Sequence, residues 1–405
     1  MGDRAVRAHA PAAIHRSPSG RKPRAFGIRF AGIGLLLILP FGLLVDQLQQ
    51  SGANSQPIAP LASDVFAARW PSEDAFIRSI SAQPEIRSIP ILASSPAVGA
   101  DTGLQQVRLQ PQLGPSNSAP PKPSKTELVK FAAAPFPYDG VMPGSEQPFL
   151  NVVKGKQKGH RSPRGAILWQ DETFNDSRVL LHIPSSFDIN RPAVMVVFFH
   201  GHGANLTRDV LHRQNVPEQI SLSGVNAVLV APQFAVDAAD SSTGRFWQPG
   251  GFARFVNEAG KKLASLDGNP AKAKQFATMP VIIVAYSGGY LPAAWSIRNG
   301  GLGLRLRGLV LLDALYGEID NFANWIKNSP SKFFVSAYTS STRRQNLELA
   351  NILNEDNVPY STDIGKHLWR GRVALLPANS DVNHQDFVTQ AWTSNPIADI
   401  LANLN

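Results

Sequence analysis

The sequence predicts an α/β protein with a mostly parallel, doubly wound sheet. Strand-like and helix-like segments alternate from residue 165 to the C-terminus, which is typical of one domain with helices on both faces of a sheet. Several strand-like segments, such as 193–201 and 280–287, are continuous apolar runs rich in β-branched residues. Such runs indicate strands that are buried on both faces, as in parallel sheets.

The bounds of the predicted elements follow from the apolar runs and the polar turns between them. Strands are predicted at 165–170, 178–187, 193–201, 225–234, 280–287, 306–314, 332–340 and 372–380. Helices are predicted at 207–222, 251–266, 290–299, 318–327, 343–354 and 387–404. These elements define one domain over residues 138–405, and no internal repeat is present.

Composition excludes several classes of function. The chain contains no cysteine, so disulfides, thiol nucleophiles and Cys-based zinc sites are excluded. The formal net charge is +9, but residues 1–30 hold seven basic side chains against one acid, so most of the excess lies in one tail. A charge confined to a tail does not make a surface for a nucleic acid duplex, and we expect no nucleic acid partner.

Three segments precede the domain. Residues 1–29 form a basic tail, residues 30–45 are uncharged and almost wholly apolar, and residues 46–137 are rich in Pro, Ser, Ala and Gln. With residues 25–29 included, and Arg29 snorkelling, the apolar segment reaches about 20 residues and could span a bilayer as a helix. The basic flank predicts a cytoplasmic N-terminus and a periplasmic or extracellular domain.

A cleaved secretory signal is the alternative to a membrane anchor, since Ser51-Gly52-Ala53 has the small-x-small pattern of a cleavage site. Under both interpretations the domain is exported. The composition of 46–137 predicts a flexible linker, because it cannot bury enough apolar surface to offset the entropy of ordering. The basic run 154–164 is predicted to be a solvated loop before the sheet.

The stretch AYSGG, residues 285–289, joins a predicted strand to a predicted helix through small residues around Ser287. It resembles the nucleophile elbow G-x-S-x-G of the α/β-hydrolase superfamily, with Ala285 in place of the first glycine. An elbow needs small residues because the turn is strained and the strand and helix approach closely. The alternative is an ordinary strand-to-helix turn in which Ser287 caps the helix.

A second motif, FFHGHGAN at residues 198–205, follows the strand two strands before the elbow. The resemblance implies an oxyanion hole formed by the backbone N–H groups of His202 and Gly288. The alternative is a zinc site on His200 and His202, with His212 nearby. We expect no metal, since Asp209 is the one carboxylate close in sequence.

The resemblance also places a catalytic histidine in the loop after the last strand, where His384 lies. The family's acid commonly follows the strand predicted here at 332–340, but that strand ends in Ser and Thr. Some members carry the acid one strand earlier, and that strand ends in Asp313. Ser287, Asp313 and His384 then keep the family's chain order.

Other roles for these carboxylates remain open. The alternative for Asp313 is that it caps a helix or lies in a turn. Asp381 and Asp386 flank His384, but their place in its own loop is too local to brace the ring.

The resemblance implies acyl transfer through an acyl-enzyme, in which Ser287 attacks, His384 moves the proton and Asp313 holds the imidazole. We therefore expect an exported serine hydrolase that cleaves an ester, or an amide, of a small or envelope-derived acyl substrate without a cofactor. The alternatives are a catalytically inactive hydrolase-fold binding module of the cell envelope and a metal-dependent hydrolase.

Substrate contacts are predicted from a loop expected on the same rim as the site and from the residue before the serine. Phe246 and Trp247 lie in the long loop 237–252, and Tyr286 precedes the serine. All three are predicted to line an acyl or ring pocket. The alternative for the loop is a surface segment pinned by its aromatic side chains.

Overall fold

Eleven strands are present in the part of the chain that the computed structural model describes, residues 122–404 without 164 and 380. They are β1 (Lys125–Lys130), β2 (Val152–Lys154), β3 (Gln157–Arg161), β4 (Ile167–Trp169), β5 (Arg178–Ile183), β6 (Val194–Phe199), β7 (Ala227–Pro232), β8 (Val281–Tyr286), β9 (Leu306–Leu312), β10 (Phe333–Tyr338) and β11 (Val373–Pro377).

The helices follow the strands in alternation. They are α1 (Gln170–Thr173), α2 (Val216–Leu222), α3 (Gly251–Asp267), α4 (Ala273–Ala277), α5 (Tyr290–Asn299), α6 (Ile319–Lys327), α7 (Arg343–Glu355) and α8 (Pro396–Ala402), with a π-helical segment at Leu206–Arg213. Short 3₁₀ turns include Gly244–Trp247, Ser287–Gly289 and His384–Asp386.

Eight strands form the main sheet, in the order β1-β5-β7-β6-β8-β9-β10-β11. β5 runs antiparallel to both of its neighbours, and all other neighbours in this sheet are parallel. The remaining strands, β2-β3-β4, form a small antiparallel sheet. The predicted mostly parallel sheet is thus confirmed.

Apolar side chains alternate between the two faces of the main sheet. In β8, Val281, Ile283 and Ala285 belong to the core under α3 to α7, whereas Ile282 and Val284 belong to the core under the π-helical segment, α2 and α8. All of them are at most 1% exposed. This burial on both faces explains why the strand reads as a continuous apolar run.

Two predicted helices differ from the structure. The segment 207–222 is broken at Asn215, which has a left-handed backbone (φ 47°) and separates the π-helical segment from α2. The segment 387–404 is helical only over Pro396–Ala402, because Pro396 occupies the first turn of the helix, where its fixed φ suits a helix start.

The folded domain begins earlier than predicted, inside the segment assigned to the linker. All six residues of β1 pair with β5, and the Lys125 ammonium donates to the Asp267 carbonyl (2.7 Å). The Glu258 carboxylate accepts from the backbone N–H groups of Ala132 and Ala133 (2.9 and 2.7 Å). Residues 125–137 are therefore part of the domain, and the predicted boundary at 138 is corrected.

The basic run 154–164 was expected to be a solvated loop, and the structure corrects this as well. It contains most of the β2–β3 hairpin, and β3 also pairs with β4. The imidazole of His160 in this hairpin is 5% exposed and stacks on Phe149, with ring centroids 4.4 Å apart. Backbone pairing and this buried ring hold the basic segment in place.

The predicted tail (1–29), membrane segment (30–45) and most of the linker (46–121) lie outside the described residues. Among the helices within residues 122–404, none combines the length and the apolar character needed to cross a bilayer.

Candidate active site

The candidate site lies at the carboxyl ends of the parallel strands of the main sheet. β8 and β9 pair in register up to Tyr286 and Leu312, so the two strands end level with each other. The next residues along the chain are Ser287 and Asp313. The loop that follows β11 brings His384 to the same edge of the sheet, which is where ligands bind in open α/β sheets.

The three side chains form one hydrogen-bonded row. The His384 Nε2 atom lies 2.8 Å from the Ser287 hydroxyl, and its Nδ1 atom lies 2.7 Å from Asp313 Oδ2. The His384 side chain is 28% exposed and the Asp313 side chain is fully buried. The row therefore runs from a buried carboxylate, through the imidazole, to a hydroxyl at the surface of a pocket.

Ser287 occupies a strained backbone turn. Its φ is 51°, in the left-handed region that L-residues other than Asn and Asp seldom adopt. A Cβ atom on Gly289 would lie 2.6 Å from the Phe199 carbonyl oxygen, and one on Gly201 would lie 2.8 Å from the Ser287 Cβ. Larger residues at these positions would displace the turn. The small residues predicted for an elbow are thus explained by close contact with β6 and the segment after it.

Asp313 also has a positive φ, 43°. Its Oδ1 accepts from the Thr339 backbone N–H (3.0 Å) and the Thr342 hydroxyl (2.6 Å), and its Oδ2 accepts from the Thr339 hydroxyl (2.6 Å). Burial alone would raise the pKa of this carboxyl, but the bonds from His384 and the two threonines hold the pKa below its usual value. Asp313 is therefore kept as an anion that accepts from the imidazole.

Two tyrosines contact His384. The Tyr286 hydroxyl donates to the His384 backbone carbonyl (2.8 Å), and the two rings are stacked with centroids 5.2 Å apart. The Tyr316 hydroxyl lies 3.4 Å from His384 Nδ1, and the Tyr316 ring meets the imidazole edge to face. Burial raises the pKa of Tyr316 to about 12. The imidazole is thus fixed by its neighbours on two sides as well as by Asp313.

The segment after β6, which contains the predicted oxyanion motif, packs against the elbow. Gly203 has φ 66°, and its N–H donates to the Ala238 carbonyl (2.9 Å). The His202 imidazole Nε2 lies 2.6 Å from the Ser241 hydroxyl. A Cβ atom on Gly288 would overlap the His202 ring. His202 and Gly288, the two residues predicted to form the oxyanion hole, are therefore in direct contact beside Ser287.

His200, considered above as a zinc ligand, is engaged in protein hydrogen bonds. Its Nδ1 donates to the Gly201 carbonyl (2.8 Å), and its Nε2 accepts from the Phe234 backbone N–H (2.9 Å) and lies 2.9 Å from the Gln233 side-chain nitrogen. Burial lowers the pKa of His200 to about 4. Nε2 joins the end of β6 to the segment after β7, and Nδ1 is bonded to the next residue along the chain, so neither ring nitrogen is left for a metal.

A pocket of about 600 Å³ opens beside the Ser287 hydroxyl. Its walls include the five predicted residues Ser287, His384, His202, Gly288 and Tyr286, and five others that were not predicted. The lining residues are His202, Arg213, Ser241, Tyr286, Ser287, Gly288, Tyr290, Tyr316, His384 and Gln385. Tyr290 and Gln385 adjoin the elbow and His384 in sequence, so their positions offered a signal, whereas nothing in the sequence around Arg213 did.

Of the three predicted substrate contacts, Tyr286 lines this pocket and the other two do not. Phe246 is fully buried and packs on Phe199 and Phe252 in the core. Trp247 is half-buried and packs edge to face on Tyr138 and other aromatic rings. The expectation for Phe246 and Trp247 is corrected, because the loop turns both rings towards the protein interior.

Comparisons with known proteins give structural neighbours only. No family model matches the sequence, and no curated protein does. Among solved structures, a mutant of the feruloyl esterase module of Clostridium thermocellum in complex with sinapinate is 14% identical, covers 66% of this chain and 95% of its own, and has a TM-score of 0.37.

Two further structures are similar at the same level. An S-formylglutathione hydrolase from Agrobacterium tumefaciens is 11% identical, covers 63% of this chain and 98% of its own, and has a TM-score of 0.34. An esterase from Thermogutta terrifontis with bound butyrate is 11% identical, covers 52% and 80%, and has a TM-score of 0.32. At these identities and TM-scores we draw no conclusion from the similarity.

The resemblance to the α/β-hydrolase superfamily is present in the protein's own architecture. The sheet is mostly parallel, a strained serine turn links β8 to α5, and the serine, the acid and the histidine follow in that order along the chain. This is a resemblance of fold and of site geometry.

Proposed function

We propose that the protein is a serine hydrolase that cleaves carboxylic esters through an acyl-enzyme on Ser287. The single observation that carries this proposal is the position of the His384 ring, with Nε2 2.8 Å from the Ser287 hydroxyl and Nδ1 2.7 Å from Asp313. A base within hydrogen-bond reach of a hydroxyl, and itself oriented by a carboxylate, is the arrangement that activates a serine.

The proposed reaction has two steps. The Ser287 oxygen attacks the ester carbonyl carbon, its proton passes to His384 Nε2, and the same proton then leaves with the alcohol oxygen as the ester bond breaks. Water next attacks the acyl carbon and gives a proton to His384, which passes it to the Ser287 oxygen as the acyl–oxygen bond breaks, so that the carboxylic acid and free Ser287 result. Asp313 remains an anion throughout and stabilises the imidazolium.

The oxyanion of each tetrahedral intermediate needs donors beside Ser287. We assign them to the backbone N–H groups of His202 and Gly288, in keeping with the contact between the two residues. Donors of this kind lower the barrier because they face the position where negative charge develops. Backbone strain of this kind clusters at active sites, and both Ser287 and Asp313 carry it here.

Covalent labelling tests the proposal. A fluorophosphonate probe should label the folded protein at Ser287, as found by mass spectrometry of the digested adduct, and Ser287→Ala should abolish both labelling and 4-nitrophenyl ester hydrolysis. Ser265→Ala, on the exposed side of α3, is the matched control and should retain both. An unlabelled but folded wild-type protein would favour a non-catalytic binding module instead.

We also propose that the domain is exported and held to a membrane by residues 30–45. The support is the apolar segment with its basic flank. Alkaline phosphatase, which needs export to become active, should be active when fused after residue 121, just before the folded domain. An inactive fusion of normal abundance would contradict export, and the intact mass of the membrane-extracted protein distinguishes an anchor from a cleaved signal.

A further inference from the structure

Among the described residues, none that lines the pocket beside Ser287 is aliphatic. Its lining consists of tyrosine rings, two imidazoles, hydroxyls, an amide, a glycine and one guanidinium. A long acyl chain gains binding energy only where its methylene groups are buried against apolar surface. The lining therefore fits a small ester with polar groups, and the guanidinium indicates which polar group.

Arg213 is the one permanently charged side chain among the lining residues, and the lining includes no carboxylate. Of its five N–H groups, Nε donates to Asp209 (2.8 Å) and one on Nη1 donates to the Gln385 carbonyl (3.3 Å). The other three have no protein partner among the described residues. The side chain is 47% exposed, so these donors are accessible to a ligand.

Asp209 fixes the position of Arg213 but does not by itself neutralise the charge of Arg213. The Asp209 carboxylate is 5% exposed and also accepts from Arg208 (2.7 Å) and from the Asn205 backbone N–H (2.9 Å). One carboxylate is thus shared between two guanidiniums. Arg208 also pairs with Asp237 (2.8 Å), and neither of these two residues lines the pocket. Arg213 is therefore held from behind while it lies in the pocket wall.

We propose that the substrate is an ester that carries an anionic group, a carboxylate or a phosphate, and that Arg213 binds this group while Ser287 attacks the ester carbonyl. The inference rests on the proposed function. A guanidinium suits such a group because two parallel N–H donors can bind two oxygens of one anion.

A pair of isosteric esters tests the proposal on the full-length protein. 4-Nitrophenyl hemisuccinate carries a carboxylate where 4-nitrophenyl 4-methylpentanoate carries an isopropyl group. The wild-type protein should have the higher kcat/KM for the hemisuccinate. Arg213→Gln should lower the ratio of kcat/KM for the hemisuccinate to kcat/KM for the methylpentanoate about tenfold. Arg213→Lys should retain part of the ratio, since it keeps the charge but not the two parallel donors.

Arg208→Gln is the matched control. Arg208 shares the Asp209 carboxylate but does not line the pocket, so its removal should leave the ratio as in the wild type. An unchanged ratio in an Arg213→Gln variant that still hydrolyses the neutral ester would overturn the proposal. An equal decrease of the ratio in both variants would also overturn the proposal, because the decrease would then be due to the altered pairing of Asp209 and not to the loss of the Arg213 side chain from the pocket.

Binding by calorimetry makes the test independent of turnover. Monomethyl succinate and monomethyl phosphate should bind the Ser287→Ala variant, and whichever binds more tightly identifies the anion. The affinity should fall about tenfold when Arg213→Gln is added. If neither compound binds, Arg213 has no anionic ligand, whether or not the protein is a hydrolase. Anion binding without ester hydrolysis would instead refute only the proposed function.

Discussion

The Nδ1 atom of His384 lies 2.7 Å from Oδ2 of Asp313, although the acid follows β9 and not β10. The residue that follows β10 closely is Thr339, and it donates both its backbone N–H and its hydroxyl to the Asp313 carboxylate. The end of β10 thus supplies donors to an acid that the neighbouring strand carries. The acid follows β9, and the residue after β10 positions it by hydrogen bonds. This explains how an acid one strand earlier can still bond the histidine.

Asp313→Asn should lower kcat on the order of 10⁴-fold, as in the best-studied triad, and should leave KM nearly unchanged. The amide cannot accept as the carboxylate does, so the imidazole is held in the wrong tautomer and its protonated form loses an anion. The measurement is steady-state hydrolysis of a neutral 4-nitrophenyl ester, with circular dichroism as the check of folding.

The two acids in the histidine's own loop provide the comparison. Of the carboxylates within residues 122–404, Asp313 is the one that bonds the His384 ring. Asp381→Asn and Asp386→Asn should therefore keep kcat within about threefold, as expected of surface substitutions. Loss of turnover in either of them, with Asp313→Asn active, would show that a different acid serves His384.

Thr342→Val should lower kcat about fivefold, which corresponds to the loss of one hydrogen bond worth about 1 kcal/mol. The Thr342 hydroxyl donates to Asp313 Oδ1 (2.6 Å) and is fully buried. Without it the pKa of Asp313 rises, so the acid limb of the kcat–pH profile should move to higher pH. Thr342→Ser keeps the hydroxyl and should restore both values, whereas a purely steric role would not respond to serine in this way.

The sequence predicted the sheet well because buried parallel strands are apolar throughout, as β6 and β8 are. It missed β1, in which only Leu128 and Val129 are apolar and which follows a Pro-rich region, because β1 is held by backbone pairing with β5 along its whole length. Backbone pairing of this kind leaves no apolar run to detect, so the start of the domain was placed too late.

The three candidate residues of the reaction were predictable because each follows a recognisable strand, and the strand ends meet at one edge of the sheet. The pocket walls were not predictable to the same degree. Phe246 and Tyr290 are both aromatic, yet the first is fully buried and the second lines the pocket. Which way a loop turns an aromatic ring depends on tertiary packing, and no local pattern in the sequence records it.

Tyr286→Phe should lower kcat about fivefold and change KM by less than about twofold, because the hydroxyl bonds His384 and holds its loop. The bond to the His384 carbonyl is 2.8 Å long. A residue that mainly contacts substrate would instead change KM. Tyr290→Phe is the matched control, since Tyr290 lines the same pocket and packs at a tilt on Tyr316, whereas Tyr286 stacks on the His384 ring.

The buried histidine that joins β6 and β7 should make the fold sensitive to acid. Burial lowers the pKa of His200 to about 4, against about 6.5 in an unfolded chain. Between these values the unfolded chain binds a proton that the folded protein excludes, so the free energy of unfolding falls as the pH drops from about 6.5 to about 4. His182, whose pKa burial also lowers to about 4, acts in the same direction.

Urea unfolding of the full-length protein at pH 7 and pH 4.5, followed by tryptophan fluorescence, measures this loss. A pKa shift of the size given for His200 corresponds to about 3 kcal/mol over the whole window. His200→Gln keeps an acceptor for the Phe234 N–H but cannot titrate, so it should be less stable at pH 7 and lose less stability on acidification. His212→Gln, at an exposed histidine, should show the wild-type loss. If His200→Gln loses as much stability as the wild type, the acid sensitivity of the fold arises from other groups.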